Sequence, residues 1–171
     1  MLARHGGGAG TLLDAKGAGV RRKLVLTVGN EMMGDDAAGP LLACRLRRAP
    51  IGDWGVLNGG NAPENYIFRI REMAPERVLI VDAAEMDLPA GTARLIDKAE
   101  IGGLFLLTTH SLPLNYLMES LGEFVPRVEM IGIQPEVVAF GWPVSAAVLE
   151  AVERVYRWLG TDGNNRGAAI L

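Results

Sequence analysis

The sequence predicts an α/β fold, a sandwich built on a largely parallel sheet. Short apolar runs rich in β-branched residues recur at 24–28, 54–57, 77–83 and 128–133. Between several of them, apolar residues return at helical spacing instead. The run Arg77-Val78-Leu79-Ile80-Val81-Asp82-Ala83 is continuous, without the alternation of a half-exposed strand, as expected of a central strand covered on both faces. Strands that alternate with helices imply parallel pairing. At 171 residues, with no repeat, linker or second core, one domain is expected.

Residues 1–23 are rich in Gly and Ala, lack sustained periodicity and read as a flexible N-terminal extension. Arg21, Arg22 and Lys23 ahead of an apolar run imitate a secretion signal, but the run is too short and leads into Gly29-Asn30-Glu31. The first strand, 24–28, gives way to a loop in which Gly29 and Gly34 permit backbone angles that a Cβ would forbid. Asp35 and Asp36 follow, and Pro40 suits the first turn of a helix. One of the two aspartates is expected to cap that helix. Leu41, Leu42 and Leu46 form its apolar face, Arg45, Arg47 and Arg48 its polar one, and Cys44 reads as a small core residue.

The strand at 54–57 ends at Asn58-Gly59-Gly60. Asn61 and Glu64 then predict a capped helix start, with Ile67, Phe68 and Ile70 facing the sheet. The central strand stops on Asp82, and 91–96 predicts a more exposed strand. A short apolar run at 104–107 precedes Thr108-Thr109-His110-Ser111. Leu114, Leu117, Met118 and Leu121 then mark a helix stopped by Gly122. After the strand at 128–133, the last helix carries Val148, Val152, Val155, Tyr156 and Leu159 as one stripe closed by Gly160. The domain thus spans 24–160, followed by a loose tail, 161–171.

A net charge of -3 gives no reason to expect nucleic acid or an anionic membrane as partner. Cys44 is the only cysteine, which excludes an intramolecular disulfide and paired-cysteine metal motifs. No apolar run approaches the length of a membrane span, so a soluble, cytoplasmic protein is the expectation.

The spacing of Gly29 and Gly34 is that of a phosphate-binding loop, but Asp35-Asp36 stands where Lys-Ser/Thr is needed, and two carboxylates would repel a phosphate. A dinucleotide fingerprint, a serine-nucleophile elbow and a His-Glu-x-x-His motif are absent. A Cys–His dyad would need Cys44 from within a helical pattern. Of the two histidines, His5 lies in the glycine-rich start, which leaves His110 as the imidazole to be held in a site. Asp36, Asp82 and His110 each follow an apolar, strand-like run, so a parallel sheet would bring them to one rim. Two carboxylates and an imidazole suit a borderline divalent ion such as zinc or nickel. The plainer alternative is strand-end aspartates bonding loop amides and a histidine satisfied in the core.

The same residues carry a family resemblance. Val28-Gly29-Asn30 through Gly34-Asp35-Asp36-Ala37-Ala38-Gly39-Pro40 resembles the opening of the [NiFe]-hydrogenase maturation endopeptidases. Asn58-Gly59-Gly60-Asn61-Ala62-Pro63-Glu64-Asn65, Leu79-Ile80-Val81-Asp82-Ala83, Thr108-Thr109-His110-Ser111-Leu112-Pro113-Leu114-Asn115-Tyr116 and Gly132-Ile133-Gln134-Pro135 continue it in order. The match is most similar to the type that processes hydrogenase 3, the formate hydrogenlyase enzyme. The resemblance implies a three-layer sandwich, a twisted, mostly parallel (mixed) sheet with helices on both faces. It implies an endopeptidase that cleaves the C-terminal extension from a hydrogenase large-subunit precursor, its protein partner, after nickel insertion. Its metal-binding positions fall on Asp36, Asp82 and His110. The Ni2+ would belong to the precursor, although zinc or cadmium could occupy the same ligands.

In that reading nickel polarises the scissile carbonyl or lowers the pKa of a water, and a carboxylate manages the proton. Asp35 stays open between helix cap and general base, and Gly29, Gly59 and Gly60 are expected to let the substrate tail approach the backbone. One departure stands out. The family commonly has Asp-Gly-Gly where this chain has Asn58-Gly59-Gly60, and an amide cannot take a proton. Two rivals follow: a nickel checkpoint or chaperone that binds the precursor without cutting, and an α/β enzyme acting on a small molecule at the same rim. A monomer is expected, because the substrate is itself a large protein.

Overall fold

The computed structural model describes residues 22–96 and 114–161. In chain order they form β1 (Lys23–Val28), α1 (Ala38–Arg48), β2 (Trp54–Gly60), α2 (Ile67–Met73), β3 (Arg77–Ala83), β4 (Ala93–Ile96), α3 (Leu114–Gly122), β5 (Arg127–Ile133) and α4 (Ala146–Leu159). Short 3₁₀ turns at Gly34–Ala37 and Pro63–Tyr66 lead into α1 and α2. The expectations placed on 104–107, on His110 and on most of both chain ends lie outside the described residues. Among the described residues no helix is long and apolar enough to cross a membrane.

The five strands lie in the order β2-β1-β3-β5-β4. β1, β2, β3 and β5 pair in parallel, and β4 runs antiparallel on β5. The sheet is therefore mixed, with helices on both faces. Every residue of β3 is buried, which explains its uninterrupted apolar run. Its side chains alternate between two cores. Val78 and Ile80 join Leu24, Leu26, Ile70, Leu117 and Met130 under α2 and α3. Leu79 and Val81 join Val25, Leu42, Ile131, Val152 and Val155 under α1 and α4. Each large side chain so buried contributes roughly 1.5–3 kcal/mol of transfer free energy.

α4 follows its predicted stripe: Val148, Val152, Val155 and Leu159 are buried. The Ser145 hydroxyl accepts from the Val148 N–H (3.3 Å), the N-cap contact that starts the helix. Across the α1–α4 contact, Arg45 Nε donates to Glu153 Oε1 (2.9 Å), and the guanidinium lies 3.8 Å from the Tyr156 ring. The hydrogen bond to Glu153 raises the Arg45 pKa above its ordinary value.

Four local expectations are corrected. Neither Asp35 nor Asp36 caps a helix: Met33 precedes the 3₁₀ turn and Ala37 precedes α1, both without a side-chain cap. The cap expected of Asn61 and Glu64 is absent too, because a 3₁₀ turn after Ala62 takes its place. Phe68 is 71% exposed, while Ile70 is buried and Ile67 packs at the core margin. Cys44 is exposed; Leu42, Ala43 and Leu46 supply the buried side of α1.

Candidate active site

The strand order places one topological switch point. From β1 the chain passes through α1 to β2 on one side, then returns through α2, crossing β1, to β3 on the other. The carboxyl ends of β1 and β3 therefore border a crevice of the kind where α/β sheets hold ligands. Asp36 follows β1 and Asp82 is the next-to-last residue of β3. Both are buried, at 2% and 0% exposure. α1 is laid directly onto this edge: a Cβ on Gly39 would collide with the Val28 carbonyl oxygen and lie 2.9 Å from that of Val81. Only glycine allows so close an approach, and it draws the residues just before α1 against both strand ends.

Within the β1–α1 loop, the Asn30 N–H donates to Asp36 Oδ2 (2.8 Å) and to the Asp36 carbonyl oxygen (3.2 Å). Gly29 has φ +136°, and a Cβ there would strike the Asp36 carbonyl. Gly29 thus makes room for the loop's own return. Gly59 is similarly confined by Pro63 and the Thr27 carbonyl. Of the three glycines expected to admit a substrate, Gly60 alone, with φ +55°, has open space on its Cβ side.

Asp35 is wholly buried and accepts four hydrogen bonds from the segment between β5 and α4. The Ser145 N–H donates to Oδ1 (2.7 Å), while the Glu136 N–H (2.7 Å), the Val137 N–H (3.1 Å) and the Ser145 hydroxyl (2.9 Å) donate to Oδ2. The Asp35 N–H returns a bond to the Val137 carbonyl (3.0 Å). Both oxygens are thereby held, so the geometry suits a brace between two loops better than a proton acceptor facing a water. Ser145 escaped sequence reasoning, and Gln134 entered it only as part of the block Gly132-Ile133-Gln134-Pro135, without a role. The buried Gln134 amide accepts from the Met86 N–H (2.7 Å) and donates to Glu85 (2.9 Å), fixing the turn after β3. Its position at a strand end, next to Pro135, was the available signal.

Asn58 carries the departure in the loop after β2. Its Oδ1 accepts from the Thr27 hydroxyl (3.3 Å) and the Gly60 N–H (3.2 Å). A backbone N–H must meet an oxygen, so the amide nitrogen takes the other direction. An Asn serves this loop-shaping role as well as an Asp. Asn58 also borders a depression of about 300 Å³, together with Gly29, Asn30, Glu31, Met32 and Gly60. His110 lies outside the described residues. Among those described, no three His, Cys, Asp or Glu side chains form a metal-binding group.

Comparison with known proteins gives this edge a context. A family model for hydrogenase maturation proteases (HycI) matches residues 41–160. Over 148 residues the chain is 51% identical to the hydrogenase 3 maturation protease of Escherichia coli K12, covering 86% of this chain and 95% of that one. The solution structure of the endopeptidase HycI from E. coli superposes with a TM-score of 0.78 at 49% identity, covering 84% of this chain and 92% of that one. The crystal structure of a [NiFe] hydrogenase maturation protease HycI from Thermococcus kodakarensis KOD1 gives 0.73 at 29% identity, covering 82% and 91%. Fold and relatives together define a peptidase, a hydrolase on an α/β sheet. The chain belongs to the hydrogenase maturation protease family.

Proposed function

We propose that this protein cleaves the C-terminal extension from a [NiFe]-hydrogenase large-subunit precursor after nickel insertion, with Asp36, Asp82 and His110 recognising the nickel that the precursor holds. The observation that carries the proposal is the pair of buried carboxylates at the switch point between β1 and β3. Two oxygen donors and an imidazole fit a borderline divalent ion. Such an ion polarises a neighbouring carbonyl and lowers the pKa of a bound water.

The chain's own residues supply position. Asn30 fixes the Asp36 carboxylate through its N–H, and Gly39 sets α1 close enough to the strand ends to keep that carboxylate at the crevice. Strand alternation points Asp82 toward the layer of α2 and α3. Leu114, four residues after His110 in sequence, is buried in that same layer. Asn58 borders the depression between the ends of β1 and β2 as a neutral hydrogen-bonding group, which leaves the proton to Asp36, Asp82 or the substrate water. Because its loop-shaping bonds are made, its presence gives no support to a checkpoint that binds without cutting.

Incubation with nickel-loaded and nickel-free precursor, followed by intact mass spectrometry, tests the reading. Loss of a C-terminal fragment from the loaded form alone is expected. Loss from both forms would remove nickel from the account, and loss from neither would remove the peptidase assignment for that precursor.

A further inference from the structure

We propose that Met32, Phe140 and Trp142 form a docking rim for an apolar and basic segment of the precursor beside the cleaved bond; the proposal rests on the peptidase reading above. Single exposed apolar residues are ordinary, but a contiguous group beside a site is not. Met32 is 59%, Phe140 70% and Trp142 60% exposed. They are neighbours: the Gly141 N–H donates to the Met32 carbonyl (2.9 Å), and Gly141 separates Phe140 from Trp142. The turn is closed by the Trp142 N–H on the Ala139 carbonyl (3.3 Å), with Gly141 at φ +75° in its third position.

This segment has neither helix nor strand to hold it, yet it does not fold over its own aromatic side chains. Asp35 fixes it at Glu136, Val137 and Ser145 through a fully buried carboxylate. The rim is thus presented by a fixed loop, and it reaches the depression beside Asn58, which Met32 also lines. Trp and other aromatic residues, with Met, are the usual anchors of protein interfaces.

Charge selects the occupant. Segments 29–37 and 134–145 hold Glu31, Asp35, Asp36 and Glu136 and no Lys, Arg or His. Large apolar side chains would seat on the rim, and Lys or Arg beside them would meet Glu31 and Glu136, both exposed.

The test is calorimetric binding of full-length precursor at low and high salt, with cleavage followed in parallel. The variants are F140S/W142S, E31Q/E136Q and, as a control at an exposed aromatic residue of α2, F68S. F140S/W142S is expected to weaken binding roughly tenfold or more, with an unchanged circular dichroism spectrum. E31Q/E136Q should flatten the salt dependence, and F68S should bind as the parent does. Unaltered binding by F140S/W142S overturns the rim, as does a dimer of the parent that this double variant abolishes. Weakened binding as expected, with a parent that never cuts, keeps the rim and removes the peptidase reading. A parent that neither binds nor cuts overturns both.

Discussion

At the amino-terminal end of the strands, buried charge is matched within the sheet itself. Arg77 Nε donates to Glu129 Oε2 (2.8 Å), the Arg127 guanidinium reaches Glu129 Oε1 (2.8 Å), and the Arg77 guanidinium lies 5.2 Å from the Trp54 ring. Lys23, one strand over, pairs with Asp53 at 3.2 Å. The carboxyl end is built otherwise. Asp35 and Asp36 accept hydrogen bonds from backbone N–H groups and, at Asp35, from a hydroxyl, and Asp82 is buried at the end of β3. Segments 29–37 and 134–145 at this edge carry four acidic residues and no Lys, Arg or His. The first arrangement secures the sheet; the second is ready to receive positive charge from a partner.

The largest expected effect follows from removing charge at the carboxyl end. Asp36→Ala or Asp82→Ala should lower precursor processing by roughly 10²-fold or more, while thermal melts stay cooperative. At the other end, Glu129→Ala leaves Arg77 buried without its carboxylate and should destabilise by about 3–5 kcal/mol. Urea unfolding measures that loss, and the processing rate per folded molecule should be unchanged.

Asp35→Ala stands between the two ends, for it removes the buried acceptor of four hydrogen bonds from the loop before α4. A loss of about 1–3 kcal/mol is expected, with faster hydrogen exchange at the Glu136, Val137 and Ser145 amides. The smallest effect belongs to Cys44→Ser. An exposed position on α1 should hold stability within about 0.5 kcal/mol, and a thiol reagent should label the native protein while processing continues.

The layers of the fold were legible because burial on both faces writes itself into β3 as a continuous apolar run, and into β1 and β5 as apolar runs broken only by Thr27 and by Glu129 and Gly132. α4 was legible for a similar reason, since its stripe is long and regular. The errors fall where spacing and contact part company. Phe68 has the spacing of a core residue, but α2 is only seven residues long and turns it outward. Cys44 fits an apolar pattern, yet Ala43 and Leu42 already fill the contact with the sheet. The switch point was legible in outline, as Asp36 and Asp82 both follow strands. The service of Asp35 was not, because its partners lie about a hundred residues away, at Glu136, Val137 and Ser145. No local pattern reports a bond of that range. The direction of β4 was equally hidden: a four-residue edge strand carries no mark of antiparallel pairing.

The most direct measurement sets the two ends of the sheet side by side. Nickel-loaded precursor is incubated with Asp82→Asn or with Glu129→Gln protein, each confirmed folded by circular dichroism, and its intact mass is followed in time. The account predicts a precursor that stays full length with Asp82→Asn and loses its extension with Glu129→Gln. Processing by Asp82→Asn at the parental rate would contradict it, and the carboxyl edge of the sheet would no longer be the place of cleavage.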